Sequence, residues 1–127
     1  MSHSPYDVIS LHLKYDRLSK GSVTSLQRGE LWTRFAQEIP QILWEIPVVD
    51  IWGDRDLFIL KGKLLVPELK RSYRGCEVKA LFRGSQYRAR LLSLPPSQRV
   101  RIEGRPTCCG TEGGRWSFEV DPARLVE

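Results

Sequence analysis

The sequence has few of the residues from which metal centres and disulfide frameworks are built. It contains two histidines, His3 and His12, and three cysteines, of which Cys108 and Cys109 are adjacent. A structural zinc site takes four ligands, usually with paired cysteines at close spacing, and an odd number of cysteines does not suit a disulfide framework. We therefore expect structural thiols, no bound metal and no cofactor.

The sequence also lacks an arrangement of residues that is typical of catalysis. Asp50, Asp54 and Asp56 form one close group of acids, but the segment WGDRD is better explained as a turn. The glycines of CCGTEGG are not followed by the lysine of a phosphate-binding loop. Nucleases and transferases need clustered acids, histidines or an activated nucleophile, so we expect a protein that is not an enzyme.

Long apolar runs are absent as well. None approaches the roughly 20 apolar residues of a membrane-spanning helix, and the first residues, MSHSPYDVIS, have neither the basic start nor the apolar stretch of a secretory signal. With 127 residues, of which 41% are hydrophobic and 28% charged, the chain has the size and composition of one folded domain. We expect an intracellular, cytoplasmic protein with no membrane partner.

Positive charge is concentrated in one part of the chain. The net charge of the whole chain is +5, but residues 61–105 hold twelve lysines and arginines against three acids, a net charge of +9. Residues 1–60 and 106–127 each have a net charge of −2. Such a local field attracts polyanions or an acidic protein surface, although a solvated face without a partner has the same pattern.

Two helices are predicted before residue 40. Ser4, Pro5 and Asp7 supply an N-cap, a first helical residue and an acid that reaches back to unpaired backbone amides. The apolar residues between Ile9 and Tyr15 also alternate as they would in a strand, and the capping residues favour the helix.

The second helix is predicted to begin near Thr24, where Gln27 completes a capping-box spacing, and to end or bend at Pro40. The apolar segment QILWEIP that follows is interpreted as one or two further helical turns. The aromatic residues of this region are interpreted as core or docking residues. They are Trp32, Phe35, Trp44 and Trp52.

After Trp52 the sequence changes to short segments in which apolar and polar residues alternate, as in half-buried strands. Five strands are predicted: DLFILKGKLLVP, CEVKALFRG, SQYRARLLSL, RVRIEG and RWSFEV. Closing them into a barrel would bury all the apolar faces and remove exposed edges. The predicted fold is α+β, mainly β, with an N-terminal helical segment at residues 1–52 and a small five-stranded barrel at residues 53–127.

The segment LLSLPPSQRVRIEGRP resembles part of the oligonucleotide/oligosaccharide-binding (OB) fold, especially its tRNA-anticodon-like branch. The resemblance lies in a strand of the form V-x-I-x-G-R at Val100, Ile102, Gly104 and Arg105, and in Gly62 within the first long strand. It covers residues 56–127. Other small β-barrels, such as the SH3-like ones, would also meet this pattern.

The resemblance implies a ligand surface across the second and third strands and their flanking loops. It places the KRSYRG loop between strands one and two, with Tyr73 available to stack on a base, and the CCGTEGG loop between strands four and five. The predicted nucleic-acid-binding residues are Lys61, Lys63, Lys70, Arg71, Tyr73, Arg74, Lys79, Arg88, Arg90, Arg99 and Arg101. The strand aromatics should point inward, which leaves a basic outer face with almost no aromatic residue.

Two functions fit these observations. The first is non-enzymatic nucleic-acid binding, to single-stranded DNA or RNA in preference to duplex, through the basic face. The second is a protein-interaction or assembly module that docks on a partner, or on a second copy of the chain, through the Trp-rich helical segment and the basic face.

Overall fold

The computed structural model describes residues 4–39, 41–69, 75–112 and 115–126, without the side chains of residues 108, 109 and 112. Two helices, α1 (Pro5–Ser19) and α2 (Ser25–Glu38), precede the strands β1 (Ile42–Asp54), β2 (Leu57–Leu65) and β3 (Gly75–Arg83). A 3-10 turn at Ser85–Tyr87 leads into the short helix α3 (Arg88–Leu92), and β4 (Arg99–Glu112) and β5 (Arg115–Val126) follow. Within these residues, no helix is both long and apolar enough to cross a membrane.

The predicted capping boxes start both N-terminal helices. At α1, the Asp7 amide donates to Ser4 Oγ over 3.2 Å and the Ser4 amide donates to Asp7 Oδ2 over 3.1 Å. At α2, Thr24 and Gln27 exchange the same pair of bonds over 3.1 and 2.8 Å. These bonds satisfy amides that have no partner within the helix, so the helical prediction for residues 5–19 is confirmed and the strand alternative is wrong.

The five strands form a closed barrel with the neighbour order β1-β2-β3-β5-β4. All pairs are antiparallel except β3 and β5, which run parallel and are not consecutive in the chain. Alternate residues of each strand point inward, and α1 and α2 contribute side chains to the same core. The α+β, mainly β, prediction of a helical pair followed by a five-stranded barrel is confirmed.

Two segments differ from their predicted secondary structure. QILWEIP is not helical: it opens β1, where Ile42, Trp44 and Ile46 are buried and alternate with outward-facing residues. The barrel therefore begins at Ile42, and residues 42–52, which were assigned to the helical segment, are part of a strand. The division of the chain into two domains stays a prediction.

The predicted third strand, SQYRARLLSL, is the 3-10 turn and α3. Gly84, whose φ of +120° suits glycine, turns the chain out of β3. Tyr87 then packs on Phe82 with their ring centroids 5.2 Å apart, and Leu91 is buried four residues later. Ala89, which the alternation would place on the same inward face as Tyr87 and Leu91, is exposed, as expected for a helix and not for a strand.

Strand β1 bends so that it pairs with β4 over Ile42–Pro47 and with β2 over residues 48–54. The bend coincides with a bulge between Val48 and Asp50. Gly62 of β2 lies opposite Val48, and a Cβ there would come within 2.7 Å of Ile46 Cδ1. Glycine thus permits a close approach of β2 to β1, and Gly62, which the resemblance placed on the first long strand, lies on the second strand of the barrel.

Candidate functional site

Seven of the eleven predicted binding residues lie in the described part of the chain, all on the outside of the barrel or on α3. Lys70, Arg71, Tyr73 and Arg74 lie outside it. They come between the same two strand segments as predicted, which are β2 and β3 because β1 precedes them. Most of CCGTEGG belongs to β4, and Gly113 and Gly114 also lie outside the described residues. The structure divides the seven into a lysine group on β2 and β3 and an arginine group on α3 and β4.

The lysine face consists of Lys61 and Lys63 on β2 and Lys79 on β3. Lys61 and Lys79 lie opposite each other in the β2–β3 ladder. Glu77 Oε2 lies 3.7 Å from Lys61 Nζ, and Glu77 Oε1 lies 3.7 Å from Lys79 Nζ. The face therefore contains the carboxylate that offsets much of its own positive charge.

Further acids continue this balance on both sides of the lysine face. In the strand ladders, Asp50 of β1 lies opposite Lys61, and Glu119 of β5 lies opposite Lys79. One row across four strands thus carries two basic and two acidic residues. Because opposite charges so placed screen one another, the lysine face has a weaker field than its lysine count suggests.

The arginine groove is a depression of about 590 Å³ lined by Arg90 of α3 and by Arg99 and Arg101 of β4. Its other lining residues are Glu45, Val100, Leu125 and Val126. Arg99 and Arg101 point outward because Val100 between them is buried in the core. Within the described part of the chain, neither Arg99 nor Arg101 forms an ion pair.

The loop after α3 brings Arg90 to the strand arginines. Ser97, with a φ of +75°, donates its amide to Val48 O over 2.8 Å, and the Val48 amide donates to Gln98 O over 2.9 Å. These two bonds attach the loop to β1 just before β4 begins. The Arg90 side chain is held in turn by a 3.2 Å bond from Nη1 to Ser93 Oγ.

A second depression, the Trp52 groove, lies between β1 and α3 and has a volume of about 440 Å³. Its β1 wall runs from Val48 to Gly53, and its α3 wall includes Arg88, Leu91 and Leu92. Trp52 is 41% exposed and Leu92 is 74% exposed. Trp52 is thus an exposed aromatic residue on an outer surface that was expected to have almost none.

The β1 bulge explains why sequence reasoning missed Trp52 as a surface residue. Before the bulge, the even-numbered residues Trp44, Ile46 and Val48 point inward. The extra residue of a bulge reverses this phase, so Trp52 points outward and pairs with Ile59, while Ile51 pairs with the buried Leu60. The Trp-Gly step before a predicted turn is the one sequence signal that could have indicated a break in the alternation.

Helix α3 separates the two grooves and contributes an arginine to each of them. Arg88 lines the Trp52 groove and Arg90 lines the arginine groove. Residues two apart on a helix differ in direction by about 200°, which directs these two side chains to opposite sides of α3. The two grooves are thus neighbours across one short helix.

The Arg83–Asp121 pair and Cys76 lie outside the grooves, and their environments limit their reactivity. Arg83 donates two bonds, of 2.8 and 2.7 Å, to Asp121, and these hydrogen bonds lower the pKa of the Asp121 carboxyl. Cys76 is a free, buried thiol whose pKa burial raises to about 11, so it stays protonated and unreactive at neutral pH. The Arg83–Asp121 pair therefore offers a ligand no free charge, and Cys76 offers no nucleophile.

An aromatic cluster joins the helices to the barrel. The His12 ring of α1 lies 5.3 to 5.4 Å, centroid to centroid, from the rings of Trp32, Phe35 and Trp116. Burial lowers the pKa of His12, with Asp16 acting in the opposite direction, and His12 Nδ1 is buried without a hydrogen-bond partner in the described residues. A third depression of about 600 Å³ lies beside this cluster, with Arg105 at its barrel side.

Among the described residues, no three histidine, cysteine, aspartate or glutamate side chains are grouped as they would be to hold a metal ion. The side chains that line the two grooves include arginines, a tryptophan and leucines, which are suited to hold a ligand by charge and by van der Waals contact. Comparison with known protein families, with curated proteins and with solved structures found no match to this chain.

Proposed function

We propose that this protein binds nucleic acid without catalysing a reaction, and binds single strands in preference to duplexes. The observation that carries this proposal is the arginine groove, where Arg90, Arg99 and Arg101 meet from two separate elements. One carboxylate, that of Glu45, lines the same groove. Arginine is the side chain best suited to phosphate, because its planar guanidinium can donate two parallel hydrogen bonds.

The preference for a single strand is supported by the Trp52 groove on the other side of α3. An exposed tryptophan beside an arginine is the combination that binds unpaired bases, which stack on the ring while their phosphates lie near the cation. Lys61, Lys63 and Lys79 would add a weaker, partly neutralised attraction along the neighbouring strands. Stacking by Tyr73 stays a prediction, since its loop lies outside the described residues.

We also propose that the barrel belongs to the OB superfamily. The support is its topology: five strands in the order β1-β2-β3-β5-β4, one parallel pair, and a helix between β3 and β4. The V-x-I-x-G-R segment lies at the start of β4, where Ile102 is buried. Gly104 packs closely on Val120: a Cβ on residue 104 would lie only 2.6 Å from Val120 Cγ1.

The proposal is tested by fluorescence anisotropy with labelled single-stranded DNA, single-stranded RNA and duplex DNA over a range of salt concentrations. The variant Arg99→Gln/Arg101→Gln removes two positive charges from the arginine groove. The control Arg17→Gln/Arg34→Gln removes two from exposed positions of α1 and α2 that line neither groove.

For a single strand, each phosphate contact contributes about 0.7 to the slope of log affinity against log salt. We therefore expect the slope for the groove variant to flatten by about 1.4, twice that contribution, and the slope for the control to stay close to that of the wild type. Equal slopes for the two variants would show that the groove is not the phosphate site. A lack of binding to all three nucleic acids at low salt would refute the function itself.

A protein-interaction module is a second candidate, favoured by the surface of the helical segment. Leu26 of α2 is 81% exposed, and Trp32 and Phe35 line the third depression. An interface anchored by such residues would be largely insensitive to salt, whereas phosphate binding weakens steeply with it. A salt-insensitive complex that Trp32→Ala weakens and Arg99→Gln/Arg101→Gln does not would favour this function.

A further inference from the structure

We infer that the Trp52 groove is a binding site for one unstacked nucleobase, with Trp52 as its stacking surface and Arg88 beside the adjoining phosphate. This inference rests on the proposed function, and it names the part of the nucleic acid that the second groove takes. The protein would then recognise exposed bases as well as phosphate charge.

The shape and lining of the groove fit a base better than a phosphate. Its volume of about 440 Å³ lies in the range of small-ligand sites, about 300–1,000 Å³. Most of its lining residues have apolar side chains, such as Ile51 and Leu92, but polar atoms form nearly half of its exposed surface. A nucleobase has flat apolar faces and polar edges, so it can fill such a space and still present its edges to the polar residues.

The two charged residues of the groove lie on opposite walls and give the ligand an orientation. Asp50 is on the β1 wall, where its Oδ1 accepts the Ile51 amide over 2.9 Å, and Arg88 is on the α3 wall. Asp50 repels a phosphate, whereas a carboxylate accepts hydrogen bonds from the amino groups of bases. The phosphate therefore belongs at Arg88 and the base at the wall that carries Trp52.

Continuity with the arginine groove supports a nucleic-acid strand as the occupant. Arg88 and Arg90 are two residues apart on α3 and line the two different grooves. A chain of phosphates held at Arg90, Arg99 and Arg101 can continue past α3 to Arg88. At that point the next base would meet Trp52, whose side chain is 41% exposed and therefore accessible to a ligand.

The test compares strands that have the same phosphates but different bases. A mixed-sequence single strand, as DNA and as RNA, is titrated beside an otherwise identical strand made of abasic sites. The proteins are the wild type, Trp52→Ala, Trp52→Phe and Leu92→Asp. Leu26→Asp is the matched control, because Leu26 is also highly exposed but lies on α2, away from the groove.

The wild type should bind the normal strand about 5-fold to 150-fold more tightly than the abasic strand, the range for one stacked base. Trp52→Ala should remove that ratio while leaving abasic binding unchanged, and Trp52→Phe should restore part of it. Leu92→Asp should reduce the ratio, and Leu26→Asp should not. Because Trp52 and Leu92 are both exposed, these changes should leave the core intact, which circular dichroism can confirm.

Equal affinity of the wild type for the two strands would overturn the base site, even if both strands bind with the expected salt dependence. A ratio that persists in Trp52→Ala would overturn it as well. In either case the proposed function would stand and the groove would have another occupant. If no strand binds, the proposed function and the base site fail together.

Discussion

The attachment of α1 to the barrel can be tested by the substitution Ile9→Ala. Ile9 is fully buried and is among the largest completely enclosed side chains of the protein. It belongs to one core cluster with the inward side chains of the strands. If that cluster is one cooperative unit, weakening it at α1 must also weaken the barrel.

The expected magnitude follows from the burial of Ile9. An isoleucine-to-alanine change in a core costs about 2–5 kcal/mol, because the lost burial and the remaining cavity add together. Small domains have a free energy of unfolding of about 5–15 kcal/mol. Ile9→Ala should therefore remove a large share of the stability of the protein. The matched control is Leu13→Ala on the same helix, since Leu13 is 44% exposed and should lose less than about 1 kcal/mol.

The assay is urea unfolding followed by tryptophan fluorescence and by circular dichroism. The tryptophans report on both parts of the fold, because Trp32 is on α2, Trp44 on β1 and Trp116 on β5. We expect a single transition by both probes, with its midpoint shifted to lower urea in Ile9→Ala and its slope unchanged. An early loss of helical signal with an unchanged barrel transition would refute the reasoning and make the helices a separate docking unit.

Two further predictions concern the glycines and the buried histidine. Gly62→Ala should destabilise the protein by about 1–3 kcal/mol, because its Cβ would lie 2.7 Å from Ile46 Cδ1. The control Gly29→Ala, in α2 with nothing within 4 Å, should instead stabilise it by about 0.5–1 kcal/mol, and chemical denaturation measures both. Burial lowers the pKa of His12 below its ordinary 6.5. As the pH falls, the unfolded state therefore binds a proton at a higher pH than the folded state does. The contribution of neutral His12 to stability should be fully present above pH 6.5 and should be lost progressively below it. Thermal unfolding measures this dependence between neutral pH and the pH at which carboxylates begin to titrate. The variant His12→Phe should not lose stability over that range as the wild type does, and an equal loss in both proteins would contradict the prediction.

The parts of the fold that were predictable are those set by local chemistry. The side chains of Ser4 and Thr24 each cap a helix through contacts with a residue three positions away, and that spacing is visible in the sequence. The strands CEVKALFRG and RWSFEV keep one phase from end to end, so their inward residues, such as Val78 and Phe118, could be assigned by alternation. These elements could therefore be assigned without knowledge of any contact between distant residues.

The parts that were missed depend on contacts between distant residues. The alternation in SQYRARLLSL is present in the sequence, but Tyr87 packs on Phe82 and Leu91 is buried while Ala89 between them is exposed, as in a helix. Likewise, the bulge after Val48 lies where β1 changes its partner from β4 to β2, and this change of partner could not be predicted from the sequence of β1 alone. The change of phase in this strand places Trp52, which was interpreted as a core or docking residue, on the surface.

The site illustrates the same limit in electrostatics. The excess charge of residues 61–105 was correctly read from the sequence, but charge along the chain does not give the field at a surface. Folding places Glu77 between Lys61 and Lys79, so part of that charge is neutralised within the segment. It brings Arg99 and Arg101 together with Arg90, which is nine residues before Arg99 in the chain. The interaction of a charge with its neighbours falls with distance and is screened by salt. A phosphate chain would therefore gain most near Arg99 and Arg101, which form no ion pair among the described residues, and less at Lys61 and Lys79, which both lie near Glu77.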